Sequence, residues 1–104
     1  MTNIAIFASG SGTNAEAIMN HFAASSCARV ALLLSNRADA YALKRAERFG
    51  VPTAVFSREE FRDPQGRVAA LLREHQIGFI VLAGFLWLVP DYLTGAYAGR
   101  IVNI

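Results

Sequence analysis

The segment Gly10-Ser11-Gly12-Thr13-Asn14-Ala15 carries the clearest chemistry in this 104-residue chain. It has the spacing G-x-G-x-x-A and lies between an apolar run, Ile4 to Ala8, and a stretch with helical spacing. Glycines at such a turn let the backbone approach a phosphate closely. The free N–H groups and positive dipole end of the next helix stabilise the anion, and Thr13 and Asn14 add side-chain donors. Thr13 and Glu16, three positions apart, read as a capping box that opens the helix. The plain alternative is a tight βα turn with a capped helix and no ligand. A dinucleotide site also wants an acid at the tip of the second strand, about 20 residues on. That tip reads Ser35-Asn36-Arg37, with no carboxylate before Asp39, which counts against NAD. Asn36 and Arg37 could still hold a hydroxyl and a 2′-phosphate, so an NADP-binding Rossmann module of an oxidoreductase stays open. A phosphate monoester fits as well and demands less.

Leu82-Ala83-Gly84-Phe85-Leu86-Trp87-Leu88-Val89-Pro90 leaves a later apolar run. Gly84 permits a sharp turn, and the side chains from Phe85 to Val89 follow with neither helical nor strand period. They read as core filling over the sheet end, or as the wall of a slot for a flat ring. Other reactive side chains carry little. His21 lies off the apolar stripe of its helix, and His75 ends a helix just before a strand, so both read as solvated surface groups. Cys27 has no base or metal partner in sequence, and Glu59, Glu60 and Asp63 read as a solvated cluster. There is no metal-ligand spacing and no nucleophile–base pair.

Apolar runs alternate with amphipathic ones, and these elements must place the loops. Ile4–Ala8, Val30–Leu34, Val51–Phe56, Phe79–Ala83 and Arg100–Ile104 read as strands, the third weakened by Pro52. Ala15, Ile18, Met19 and Phe22 mark one helix face. Tyr41 to Phe49 reads as a second helix with Gly50 past its end. Ser57 and Glu60 form another capping-box pair, Val68 to His75 is helical, and Pro90 suits the first turn of a short helix. Strands that are apolar throughout are covered on both faces. Their alternation with helices implies an α/β fold, a Rossmann-like doubly wound open parallel sheet of order 3-2-1-4-5. Its crevice lies at the carboxyl ends of strands 1 and 4. The chain stops at Ile104 in mid-strand, and the expectation is the first half of something longer.

Composition narrows the classes. An 11.3 kDa chain exposes about 5,700 Å² when folded, enough for one core and not two. Hydrophobic residues make up 54% and charged ones 17%, which excludes a disordered chain. No apolar run reaches the ~18 residues of a membrane span, and the first residues lack a basic signal-peptide region. A single cysteine cannot make an internal disulfide, and the expected compartment is the cytoplasm. A net charge of +2 with scattered arginines suits a small anion, not a nucleic acid.

With those residues in hand, the chain resembles the phosphoribosylglycinamide formyltransferases, the folate-dependent transformylases of purine biosynthesis. The resemblance runs through Ser9 to Asn14, Ser35 to Ala40, Val81 to Phe85 and Tyr97 to Ile104, in that order. It implies that residues 1–104 are the N-terminal, substrate-phosphate-binding half of a single formyltransferase domain. The reaction it implies moves a formyl group from 10-formyltetrahydrofolate to the amine of glycinamide ribonucleotide. By match, Gly12, Thr13 and Asn14 would hold the ribose phosphate, and Leu86, Trp87, Leu88 and Val89 would line the pteridine slot. Asn103 matches the catalytic asparagine, which bonds the formyl oxygen and so also touches the cofactor. The family's catalytic histidine would follow directly after Ile104, with an aspartate farther on, so the 104 residues alone are expected to be inactive. Leu86-Trp87 stands where relatives often carry Met-Arg. A folate-binding arginine matches no single position, with Arg62 and Arg67 both near. The resemblance implies neither a nucleic-acid nor a membrane partner and sets no oligomeric state.

Overall fold

Five parallel strands in the order β3-β2-β1-β4-β5 form one sheet, as the alternation of apolar runs requires. The computed structural model describes every residue from Met1 to Ile104. The strands are β1 (Thr2–Phe7), β2 (Ala28–Ser35), β3 (Thr53–Val55), β4 (Ile77–Leu82) and β5 (Ile101–Asn103). The helices are α1 (Thr13–Phe22), α2 (Tyr41–Arg48), α3 (Arg58–Arg62), α4 (Arg67–Glu74) and α5 (Asp91–Ala96). Successive strand residues point to opposite faces, and the core divides accordingly. Ile4, Ile6, Leu33 and Val81 pack with Ala15, Met19, Ala42 and Ala46 of α1 and α2. Ala5, Phe7, Leu32, Leu34 and Ile80 pack on the other face with Phe61, Val68, Leu72 and Leu93, from α3, α4 and α5. The accessible surface, 5685 Å², equals that of a folded monomer of this mass, about 5,700 Å².

Local signals placed most boundaries. Gly50 takes φ +68° just past α2, a left-handed position that a side chain would strain. The Ser57–Glu60 capping box forms in full: Glu60 N–H donates to Ser57 Oγ at 3.2 Å, and Ser57 N–H donates to Glu60 Oε1 at 2.8 Å. The third strand is only three residues long, since the chain ahead of Thr53 includes Pro52, which cannot donate.

Two expected helix starts differ. Gly12 caps α1 and the Thr13–Glu16 box is absent, because Thr13 is already helical and Arg45 takes the Glu16 carboxylate. Pro90 stands one position before α5 as its cap, not inside the first turn.

Two tyrosines tie α5 and the stretch after it to the rest. Tyr92 Oη donates to the Phe61 carbonyl at 2.6 Å, and Tyr97 Oη donates to the Ile77 carbonyl at 3.0 Å. Burial pushes both phenols up; Asp63 adds to the effect on Tyr92 while Arg73 opposes it, and Arg100 opposes it on Tyr97. Free phenols ionise near pH 10, so above that value the unfolded chain sheds protons that the folded chain keeps. Their contribution to stability is full below about pH 10 and is lost as pH rises through the higher folded values. Melting temperature should therefore decline above about pH 10, and changing both tyrosines to Phe should flatten that decline. An unchanged alkaline slope in the double variant, followed by circular dichroism, would sink this account.

Candidate anion and ring site at the carboxyl edge

β1 and β4 are neighbours, but their following helices lie on opposite faces of the sheet. Such a divergence leaves a crevice at the strands' carboxyl ends. The glycine loop enters it from β1, Ser35-Asn36-Arg37 from β2, and the 83–90 loop from β4.

In the glycine loop, Gly12 has φ +77°, and Glu16 N–H donates to its carbonyl at 2.8 Å as the first bond of α1. The N–H groups of Thr13, Asn14 and Ala15 therefore have no helical partner and head the dipole. Thr13 and Asn14 are exposed. A carboxylate in this first turn would oppose a bound anion, and Glu16 is that carboxylate. Arg45 of α2 neutralises it through an Nη1 ion pair and also donates from Nε to the Ser11 carbonyl at 2.6 Å. Arg45 was not legible as a site residue, since no local pattern announces a contact across 34 positions. Gly12 also has a packing duty: a Cβ there would sit 2.5 Å from Ala42 Cβ and 2.6 Å from Ala42 Cα. This is the close approach of helix and loop that any side chain at position 12 would block.

The loop after β4 corrects one expectation. Gly84 does turn the chain, at φ +67°, but the residues after it alternate. Phe85, Trp87 and Val89 are half-buried and pack inward, while Leu86 and Leu88 are 75% and 95% exposed. The alternation is set by an aromatic floor. Phe85 and Trp87 meet Phe7, Phe56 and Phe61, with ring centroids 5.4 to 6.1 Å apart. Arg58, from the first turn of α3, lays its guanidinium 4.3 Å from the Trp87 ring centroid. A cleft of about 260 Å³ opens here between Arg58, Phe61, Arg62 and Leu86–Leu88. Arg62 and Arg58, the latter a residue overlooked in the sequence, both line the cleft, whereas Arg67 donates to the Val55 carbonyl at 2.6 Å.

Asn103 ends β5 opposite Leu82, at the same edge, and is exposed. Val89 packs toward the core, so it backs the loop and does not line the cleft. His75 lies at the amino edge, half-buried, and its backbone carbonyl accepts from Asn3 Nδ2 at 3.1 Å. His21 is exposed in the last turn of α1. Arg37 makes two 3.1 Å bonds to Asp39, and each of the pair favours its charged form chiefly through those bonds. Both side chains are largely exposed, so the pair is a weak surface one. Two roomier hollows, about 290 Å³ between α4 and α5 and about 420 Å³ at the amino edge, are remote from the glycine loop.

Fold and edge define a doubly wound α/β protein with a loop of unpartnered amides and an apolar cleft at its switch point. The sequence pattern of the formyl transferase family matches residues 2–104. The chain is 36% identical over 108 residues to the phosphoribosylglycinamide formyltransferase of Bacillus subtilis, covering all of this chain and 55% of that protein. Glycinamide ribonucleotide transformylase 1 from Geobacillus kaustophilus superposes with TM-score 0.83 at 42% identity, over 99% of this chain and 57% of that one. The Anaplasma phagocytophilum phosphoribosylglycinamide formyltransferase superposes with TM-score 0.88 at 29% identity, over 98% and 48%. The chain belongs to the formyl transferase family. It spans about half the length of the curated relatives it matches. No helix is long and apolar enough to cross a membrane.

Proposed function

We propose that residues 1–104 form the substrate-phosphate-binding half of a phosphoribosylglycinamide formyltransferase of purine biosynthesis, acting in the cytoplasm. The observation that carries this reading is the shared carboxyl edge: unpartnered amides at Thr13–Ala15, an aromatic cleft after β4, and Asn103 beside them. The amides and the Thr13 and Asn14 side chains hold the ribose phosphate of glycinamide ribonucleotide. Gly12 lets the backbone come close. The formyl donor, 10-formyltetrahydrofolate, brings the one-carbon group, and its ring lies against Trp87, Leu86 and Leu88. Arg58 and Arg62 offer cations to its carboxylates. A cleft of about 260 Å³ is below the usual ~300–1,000 Å³ of a complete ligand site, so it fits the ring and not the whole molecule. Asn103 donates from its amide to the formyl oxygen, where charge builds as the substrate amine attacks. The NADP reading is not favoured, with no carboxylate before Asp39 at the β2 tip and the chain in a formyl transferase family.

The test uses the single tryptophan of the chain. A stable folate, 5-formyltetrahydrofolate, should shift or quench Trp87 emission, while NADPH should leave it unchanged. Glycinamide ribonucleotide binding, followed by calorimetry, should weaken roughly tenfold or more in Thr13→Val with Asn14→Leu, as two charge-assisted bonds are lost. A Trp87 response to NADPH alone would overturn the reading in favour of a nucleotide site.

A further inference from the structure

The Ser9 hydroxyl has one proton and two neighbours. Its Oγ donates to Asn36 Oδ1 at 2.7 Å and accepts the Leu86 N–H at 3.0 Å. Ser9 is 3% exposed, so solvent is poorly placed to replace either partner. The three residues follow β1, β2 and β4, strands adjacent in the sheet and separated in sequence by 27 and 77 positions from Ser9. The bond to Leu86 has no substitute. From Gly84 to Val89, no backbone group makes a hydrogen bond to another backbone group, and Leu86 N–H to Ser9 is the one polar tether of that stretch.

We propose that Ser9 is a positioning residue, which holds the ring-binding wall at Leu86–Leu88 in fixed register with the anion loop. Ser9 adjoins the glycine loop on its own strand end, and Leu86 begins the wall. The second bond draws the β2 tip, Asn36, against the same hydroxyl. Packing alone fixes Phe85 and Trp87 inward but leaves the main chain free to slide over an aromatic floor, because apolar contact has no preferred direction. A directional bond removes that freedom and sets the height of the wall above the crevice. Naming the wall's ligand as a folate rests on the proposed function; the tether does not.

The test compares the unmodified chain with Ser9→Ala, Ser9→Thr and Asn36→Ala. Leu86 amide exchange is read by NMR, and binding of 5-formyltetrahydrofolate and of ribose 5-phosphate is titrated separately. In Ser9→Ala, Leu86 exchange should quicken at least about tenfold and the folate should bind about tenfold more weakly, the loss of roughly one hydrogen bond. Ribose 5-phosphate affinity should stay within about twofold, and Ser9→Thr, which keeps the hydroxyl, should recover the folate affinity. Asn36→Ala should leave Leu86 protected. A parent chain whose Leu86 amide exchanges without protection overturns the tether, and this measurement needs no variant to fold. Equal loss of both ligands in Ser9→Ala, without recovery in Ser9→Thr, reduces Ser9 to ordinary packing and also overturns the proposal. Failure of the parent to bind either probe overturns the proposed function instead, while Leu86 exchange still decides the tether.

Discussion

Assayed alone with 10-formyltetrahydrofolate and glycinamide ribonucleotide, the 104-residue chain should transfer formyl groups at least about 100-fold more slowly than the Bacillus subtilis relative. General acid–base catalysis contributes about 10²–10⁴-fold and needs a proton-transfer group within ~3 Å of the reacting atoms. Asn103, the proposed oxyanion donor, lies at the carboxyl edge, but the histidines are elsewhere. His75 immediately precedes the turn into β4, and His21 ends α1, which runs back from the carboxyl edge. Both therefore lie toward the amino edge. Six residues of β4 at ~3.3 Å each separate the two edges by nearly 20 Å, several times the reach of proton transfer. On the proposed function the cleft after β4, about 260 Å³, would seat only part of the formyl donor, so positioning would be lost as well. The measurement is a rate comparison under the same conditions. Activity within tenfold of the relative would mean that another group beside Asn103 moves the proton, and the assignment of roles would have to change.

Gly12→Val should unfold the chain or nearly so, and its lost phosphate binding should be a consequence of that. Two penalties add. A side chain at φ +77° costs about 1–2 kcal/mol, more for a β-branched one. Its Cβ would also overlap Ala42 backbone and side chain at 2.5–2.6 Å, and overpacking typically costs about 1–3 kcal/mol. The sum, about 2–5 kcal/mol, is comparable with the whole stability of a small domain. Shortening Ala42 to Gly would not restore the fold, because its Cα stays 2.6 Å from the new Cβ. Chemical denaturation of the variant with and without Ala42→Gly measures both statements. A Gly12→Val chain with parental stability that nevertheless fails to bind ribose 5-phosphate would show that the loop's glycine serves the ligand alone.

This second case shows where sequence reasoning stops. The glycine at position 12, the turn it makes and the helix after it are local matters. So are the Gly50 stop, the Ser57–Glu60 box and the apolar strands. Each follows from hydrogen-bond geometry, turn conformation or hydrophobic period within a few neighbouring residues, and the strand order then follows from the rules of βα crossovers. The glycine turn at the head of α1 and the place of Asn103 at one sheet edge were accordingly legible. Contacts between distant positions were not. Thr13 and Glu16 have the spacing of a capping box, yet Glu16 is claimed by Arg45, because α2 packs against the glycine loop through Ala42. Phe85 to Val89 show no period as letters, but an aromatic floor gathered from β1, the residue after β3, and α3 sorts them alternately inward and outward. Arg58 over Trp87 and Ser9 under Leu86 depend on the same gathering. Short-range stereochemistry decides the elements and their order. Which side chain a given donor or ring will meet depends on packing between elements dozens of residues apart, where many partners of the right chemistry compete and only the folded chain selects one.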